Sequence, residues 1–313
     1  MGIIFTKVLT IFLLVVIGFV ANRLGRIPES ANQYLINILL DITMPCMIMT
    51  SIISNTLDAE TMRVVAEVMI GSLIFFLVEW PVAILFLKLI RYEPRSEWGV
   101  LIVIISGVNT GFMGFPVTKM LFGNEYFFYM AMENIVLGIY LYFIMVIQLN
   151  SGEGKRPKLM DTFRGMWNNC MIVSVVAMVM LALGITLPGG VIDFLNMVGD
   201  ATVPLSMMVV GVQLGRSSIR KLLRNVKLML ASLFNVMGIP ALTLLAVHWL
   251  PITDKAKLIL VFAAAFPCAV IAVAMAAREH KNATRMAEGV VLTTLLSMAS
   301  LPFWAMVVTH LYL

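Results

Sequence analysis

Charge is what this chain has least of. Asp, Glu, Lys and Arg make up 12% of its 313 residues, roughly half the share that a water-facing domain surface carries. Cysteine and histidine are scarce too, at three each. Cys46, Cys170 and Cys268 lie inside apolar runs with neither disulfide nor metal-ligand spacing, so they point to no redox compartment. No histidine pair, metal cluster or nucleophile–base spacing occurs in those runs, and an intramembrane hydrolase or transferase would need one. The expectation is a protein that is not an enzyme, with no catalytic residue, no metal and no cofactor.

Apolar residues fill the space left by charge. They make up 61% of the chain, and the mean hydropathy is +0.98. No soluble core of this length needs so much apolar sequence, whereas a lipid-facing surface does. The net charge of +5 does not imply nucleic acid, because the basic residues sit in short loops between apolar runs. Runs near the ~20 residues needed to cross a bilayer fall at 4–22, 31–54, 65–88, 98–122, 126–149, 167–187, 191–214, 226–249, 257–277 and 287–311. The longest connection, 150–164, contains Gly, Pro and four basic residues and reads as a linker between residues 1–149 and 165–313. The first run is not read as a signal peptide, since no small-residue cleavage site precedes Asn22–Glu29.

Ten spans place both termini on one side. Of the Lys and Arg residues, 17 fall in the loops of the opposite side, while Lys7, Arg63, Lys119, Lys255 and Lys257 are the five on the terminal side. The positive-inside rule then puts both termini outside and the linker in the cytoplasm.

Offsetting the sequence by 159 residues aligns Leu24-Gly25 with Leu183-Gly184, and Asn37, Asp41, Thr43 and Pro45 with Asn196, Asp200, Thr202 and Pro204. Pro81 meets Pro240 in the same register. Apolar coincidences mean little between membrane helices, but polar residues and prolines in register indicate an internal repeat. Five spans per half is odd, so the halves have opposite orientation, a build that recurs in secondary transporters.

Span four contains Gly107, Asn109, Gly111, Gly114 and Pro116. Pro116 removes an amide donor and the glycines relax the backbone, so a regular helix should break here. Asn109 is eleven residues beyond Trp98, about 16 Å along a helix and so near mid-bilayer. The same offset brings Asn109 to Cys268, beside Pro267 in span nine. Two broken helices would present half-helix N-termini to an anion at the midplane. Ordinary proline kinks are the plainer alternative.

Asp41 and Asp200 stand ten and nine residues into their spans, where an aspartate costs at least ~2.5 kcal/mol on an insertion scale. Each is either a proton-titrating, ion-coordinating or gating carboxylate, or one bonded to backbone amides freed by Pro45 or Pro204. Glu133 and Asn134 follow the broken fourth span and either line the same cavity or include a partner for Lys119. Glu79 carries less information, and Gln148, near a span end, reads as hydrated.

Asn109 to Gly123, NTGFMGFPVTKMLFG, resembles the Asn-x-x-x-x-Gly-x-Pro element of the auxin efflux carrier family, which includes plant PIN carriers and bacterial malate and malonate permease-like proteins. GDATVPLSMMVVGVQLG resembles that family's seventh span, AAAFPCAVIA its ninth, and LGRIPES its opening. The resemblance covers essentially the whole chain. It implies an all-α integral membrane protein of ten transmembrane helices, built as two inverted five-helix repeats with broken, crossing helices four and nine, as in bile-acid symporters. Spans 1, 2, 6 and 7 would form a scaffold and homodimer interface, and spans 3–5 and 8–10 an elevator-type transport unit. The implied partners are the lipid bilayer and a small organic anion held by Asn109, Thr110, Gly111, Pro116, Pro267 and Cys268, with Asp41, Asp200, Glu133 and Asn134 as gating or H⁺- or Na⁺-coupling groups. Pro267-Cys268 is less polar than the plant equivalent, and the linker is short. The first departure makes this half of the site plainer, and the short linker favours a compact permease of the bacterial cell membrane over an auxin carrier.

Overall fold

The computed structural model describes residues 2–151, 169–215, 222 and 224–313. From residue 152 onward, the 150–164 linker lies outside the described residues, as do Arg216, Arg220 and Lys221. The described residues form helices and connecting turns and no strand. Among the described residues, seven helices are long and apolar enough to cross a membrane: Ala31–Ile53, Ala59–Leu89, Arg95–Phe122, Asn124–Leu149, Gly189–Gly215, Val226–His248 and Ala283–Tyr312. Leu9–Arg23 and Asn169–Ala182 are apolar but shorter. The ninth expected span, 257–277, is two helices, Asp254–Ala264 and Ile271–Arg278, with six residues between them outside any helix.

Three departures from α-helical pairing share one cause. The wide turns Leu39–Thr43, Thr110–Gly114 and Phe234–Gly238 each end two residues before a proline, at Pro45, Pro116 and Pro240. Proline cannot donate to the carbonyl four residues back and its ring crowds it, so a turn paired five apart absorbs the mismatch. A fourth such turn, Tyr140–Ile144, has no following proline.

The chain divides into two compact units. The first comprises Met1–Ala66, Gly111–Ile135 and Trp167–Ser217. It is organised by helix α1 (Gly2–Arg23) against the Thr202–Gly215 helix. A Cβ on Gly18 would overlap the backbone of Met208, and one on Gly211 that of Val15. Small residues let these two backbones approach, the usual basis of helix pairing where apolar burial offers little gain. Helix α1 and the Asn169–Ala182 helix end alike. Gly25 (φ +69°) and Gly184 (φ +65°) take the left-handed conformation. The following amides reach back to Ala21 O (2.9 Å) and Met180 O (2.9 Å), the glycine-terminated C-cap in which freed carbonyls are recovered.

The second unit comprises Glu67–Thr110, Val136–Met166 and Ser218–Leu313. Its centre is the Trp98–Ser106 helix, buried from Gly99 to Ser106, as a helix apolar on every side must be when protein surrounds it. The Asp254–Ala264 helix is buried in the same way from Leu258 to Ala264. Ile104 fills the space at Gly289, and Leu260 lies 2.6 Å from where a Cβ on Gly71 would stand. At the end of this unit, Tyr92 donates to Glu97 Oε2 (2.7 Å), which also pairs with Arg285 Nε (3.4 Å). Burial and then the Glu97 bond push the Tyr92 hydroxyl up to about 12. Gln148, expected to be hydrated, is fully buried. Its Oε1 accepts from Tyr140 (3.0 Å) and Ser106 (3.3 Å), because the wide Tyr140–Ile144 turn precedes it and the helix end lies inside the unit.

Candidate transport site at two broken helices

The first break begins where the Trp98–Ser106 helix ends. Gly107 donates to Val103 O (2.8 Å) and then turns into extended backbone at φ −73°, ψ 135°. Gly107 to Asn109 lie outside any helix, the wide turn Thr110–Gly114 follows, and the chain resumes at Phe115–Phe122 with Pro116 in the first turn. The second break, Ala265–Val270, contains Pro267 and Cys268. Glycines and Pro116 surround the first interruption, and Pro267 lies within the second.

The two breaks touch. The Cys268 thiol lies 3.5 Å from Val103 O, and a Cβ on Gly107 would stand 3.2 Å from that sulfur. Asn109 is 4% exposed, and Thr110 and Cys268 are fully buried. These three and Pro267 belong to the second unit. Backbone groups released in such a place must find partners in protein. Asn235, in the wide turn before Pro240, donates to Ile105 O (2.8 Å) and Gly107 O (3.2 Å). Thr293 accepts from the amide of Cys268 (3.2 Å). Neither residue was singled out by sequence. A lone Asn or Thr in an apolar run does not announce which distant carbonyl it meets, although Asn235 five residues before a proline was a usable hint.

The remaining candidates, Gly111, Pro116, Glu133, Asn134, Asp41 and Asp200, belong to the first unit. Asn134 lies over Gly111, where a Cβ would come within 3.1 Å of its amide nitrogen. Glu133 is 1% exposed. Lys119, for which Glu133 was one expected partner, pairs with Asp200 at 3.2 Å. Asp41, in the first wide turn, accepts from Asn169 Nδ2 at 2.9 Å. Each aspartate is therefore held by a side chain, where freed backbone amides had been one expectation.

The described residues form helices and turns alone, seven of the helices apolar and of membrane length, with breaks at 107–109 and 265–270 around buried polar backbone; this is a multi-pass membrane protein of the transporter class. The chain belongs to the membrane transport protein family, whose match runs over residues 3–305, and this is the auxin efflux carrier family of the resemblance above. It is similar to an uncharacterized transporter of Methanocaldococcus jannaschii, 22% identical over 97% of this chain and 98% of that one. An uncharacterized transporter of Methanothermobacter thermautotrophicus is 24% identical over 96% of this chain and 97% of its own length.

Proposed function

We propose that this transporter carries small organic anions, mono- or dicarboxylates, by elevator-type alternating access, with the anion held at the two breaks. The observation that carries the reading is the contact of the breaks at Val103, Gly107 and Cys268 in a buried setting. Asn109, Thr110 and Gly111 supply side-chain and backbone donors, and the helix ends near Pro116 and Pro267 add favourable dipoles. Asp41 and Asp200 serve as gates. The architecture we assign is ten spans in two inverted repeats with helices four and nine crossing. The matched glycine caps at Gly25 and Gly184 support it, since they repeat the 159-residue offset in three dimensions. Spans 1, 2, 6 and 7 fall together in one compact unit, which supports their role as scaffold. We place the homodimer interface on that scaffold, and the protein in the bacterial cell membrane with both termini outside and the linker cytoplasmic. The test is counterflow in proteoliposomes with a panel of radiolabelled carboxylates. Saturable exchange of at least one is expected, and no exchange of any overturns the substrate class.

A second reading is favoured by one observation, the burial of the Glu133 carboxylate beside Asn134 within an apolar helix. Intramembrane ionisable groups commonly mark ion pathways. In that reading Glu133, Asn134, Asp41 and Asp200 couple H⁺ or Na⁺ to a different solute. It requires flux to follow an imposed ion gradient and Glu133→Gln to remove that response. Flux indifferent to both gradients excludes it.

A further inference from the structure

Asn235 and Thr293 do for the two breaks what capping residues do for ordinary helix ends. The end of the Trp98–Ser106 helix leaves carbonyls without intrahelical donors, and Asn235 spends its amide group on two of them, Ile105 O and Gly107 O. The second break leaves the Cys268 amide without a helical acceptor, and the Thr293 hydroxyl accepts it while donating to its own helix at Gly289 O (2.9 Å) or Val290 O (3.0 Å). Both side chains are fully buried. Asn235 Oδ1 has no hydrogen-bond partner among the described residues. An apolar residue of the same size would avoid burying that oxygen, so the asparagine is kept for its donors. The two clamps come from different helices and meet through one contact, Cys268 against Val103 O and Gly107.

We infer that Asn235 and Thr293 are positioning residues of the transport site: they fix the two broken helices against each other before a solute arrives. The inference rests on the reading of the breaks as the site, but its test does not. Cys268 is the reporter, in a variant carrying Cys46→Ser and Cys170→Ser, purified and reconstituted, and its rate of modification by N-ethylmaleimide is measured. A second background keeps Cys170, which belongs to the first unit, alone as a reference. Asn235→Leu and Thr293→Val should each speed Cys268 modification about tenfold, the factor given by loss of one buried hydrogen bond of ~1.4 kcal/mol. Thr293→Ser, which keeps the hydroxyl, should stay within about twofold of the parent, and Cys170 should not change. If Asn235→Leu does not fold, Asn235→Asp keeps the size, loses the amide donors and should show the same acceleration. Unchanged Cys268 reactivity overturns the inference, and so does equal acceleration at Cys170, which would signal general loosening. Accelerated Cys268 with no carboxylate transported would sink the transport reading and leave the clamps standing. Unaccelerated Cys268 in a protein that transports carboxylates would do the reverse.

Discussion

Gly107 shows how much a single residue settles here. Its backbone angles are open to any residue, so conformation is not the constraint; space is. An added Cβ would stand 2.7 Å from Val103 O and 3.2 Å from the Cys268 sulfur, and neither the carbonyl nor the buried thiol can retreat freely in close-packed protein. Gly107→Ala should therefore lower exchange at least severalfold, while Gly25→Ala, strained at φ +69° but with open space around it, should cost about 1 kcal/mol and leave exchange intact. Tyr92 gives a pH prediction away from the site. Its hydroxyl is raised from 10 to about 12 by burial first, then by the Glu97 bond and the Glu97 and Glu288 charges, against an opposing effect of Arg285. The protonated phenol is thus favoured in the fold. Its contribution is complete below pH 10 and is lost as pH rises through about 12. Melting curves of Tyr92→Phe should fall less steeply between those values than those of the parent. At this scale the sequence was legible where glycine, proline and asparagine cluster, as at Asn109 and Pro116. It misread Gln148 as hydrated, and was silent on Asn235 and Thr293, whose meaning depends on partners at separations of 25 to 130 residues.

Elements carry the next set of consequences. Composition and loop charge made the apolar helices legible, and the proline positions made the breaks legible. The wide turns before Pro45, Pro116 and Pro240 were not, because sequence marks where a helix cannot pair normally without saying how the mismatch is absorbed. The Phe115–Phe122 helix, which follows the first break, is held by polar contacts within its unit. Lys119 pairs with Asp200 and Lys7 donates to Leu121 O at 3.3 Å. Asp200 is 71% exposed within the fold, so little packing depends on its carboxylate. If the pair gates transport, Asp200→Asn should alter the exchange rate several-fold while hardly moving the melting temperature. Parallel losses in both would mark a merely structural pair. The crossing of α1 on the Thr202–Gly215 helix allows no such latitude. Gly211→Val puts a side chain where the Val15 backbone lies, and should prevent recovery of folded, monodisperse protein.

At the scale of the whole molecule, the proposed repeat and its orientation predict the topology. Loop charge predicts both termini outside, and a cysteine placed at Lys7 in a cysteine-free background should react with an impermeant thiol reagent added to whole cells; one at Arg95 should not. The reverse pattern would invert the topology. The repeat we propose is read from Asn, Asp, Thr and Pro in register, and the caps at Gly25 and Gly184, 159 residues apart, share a left-handed backbone geometry. That a compact unit draws from both halves of the chain came only from the family resemblance and not from the residues, since such contacts are made by apolar and small residues that look alike in any membrane helix. The central claim is that a carboxylate is carried at the two touching breaks. Counterflow of the panel's active carboxylate into proteoliposomes, comparing the parent with Asn109→Ala at equal protein, tests it most directly. The account predicts saturable uptake in the parent and loss of at least tenfold in kcat/KM for the variant, the effect of removing an interaction of ~1.4 kcal/mol or more. Equal, saturable uptake by both proteins would contradict it.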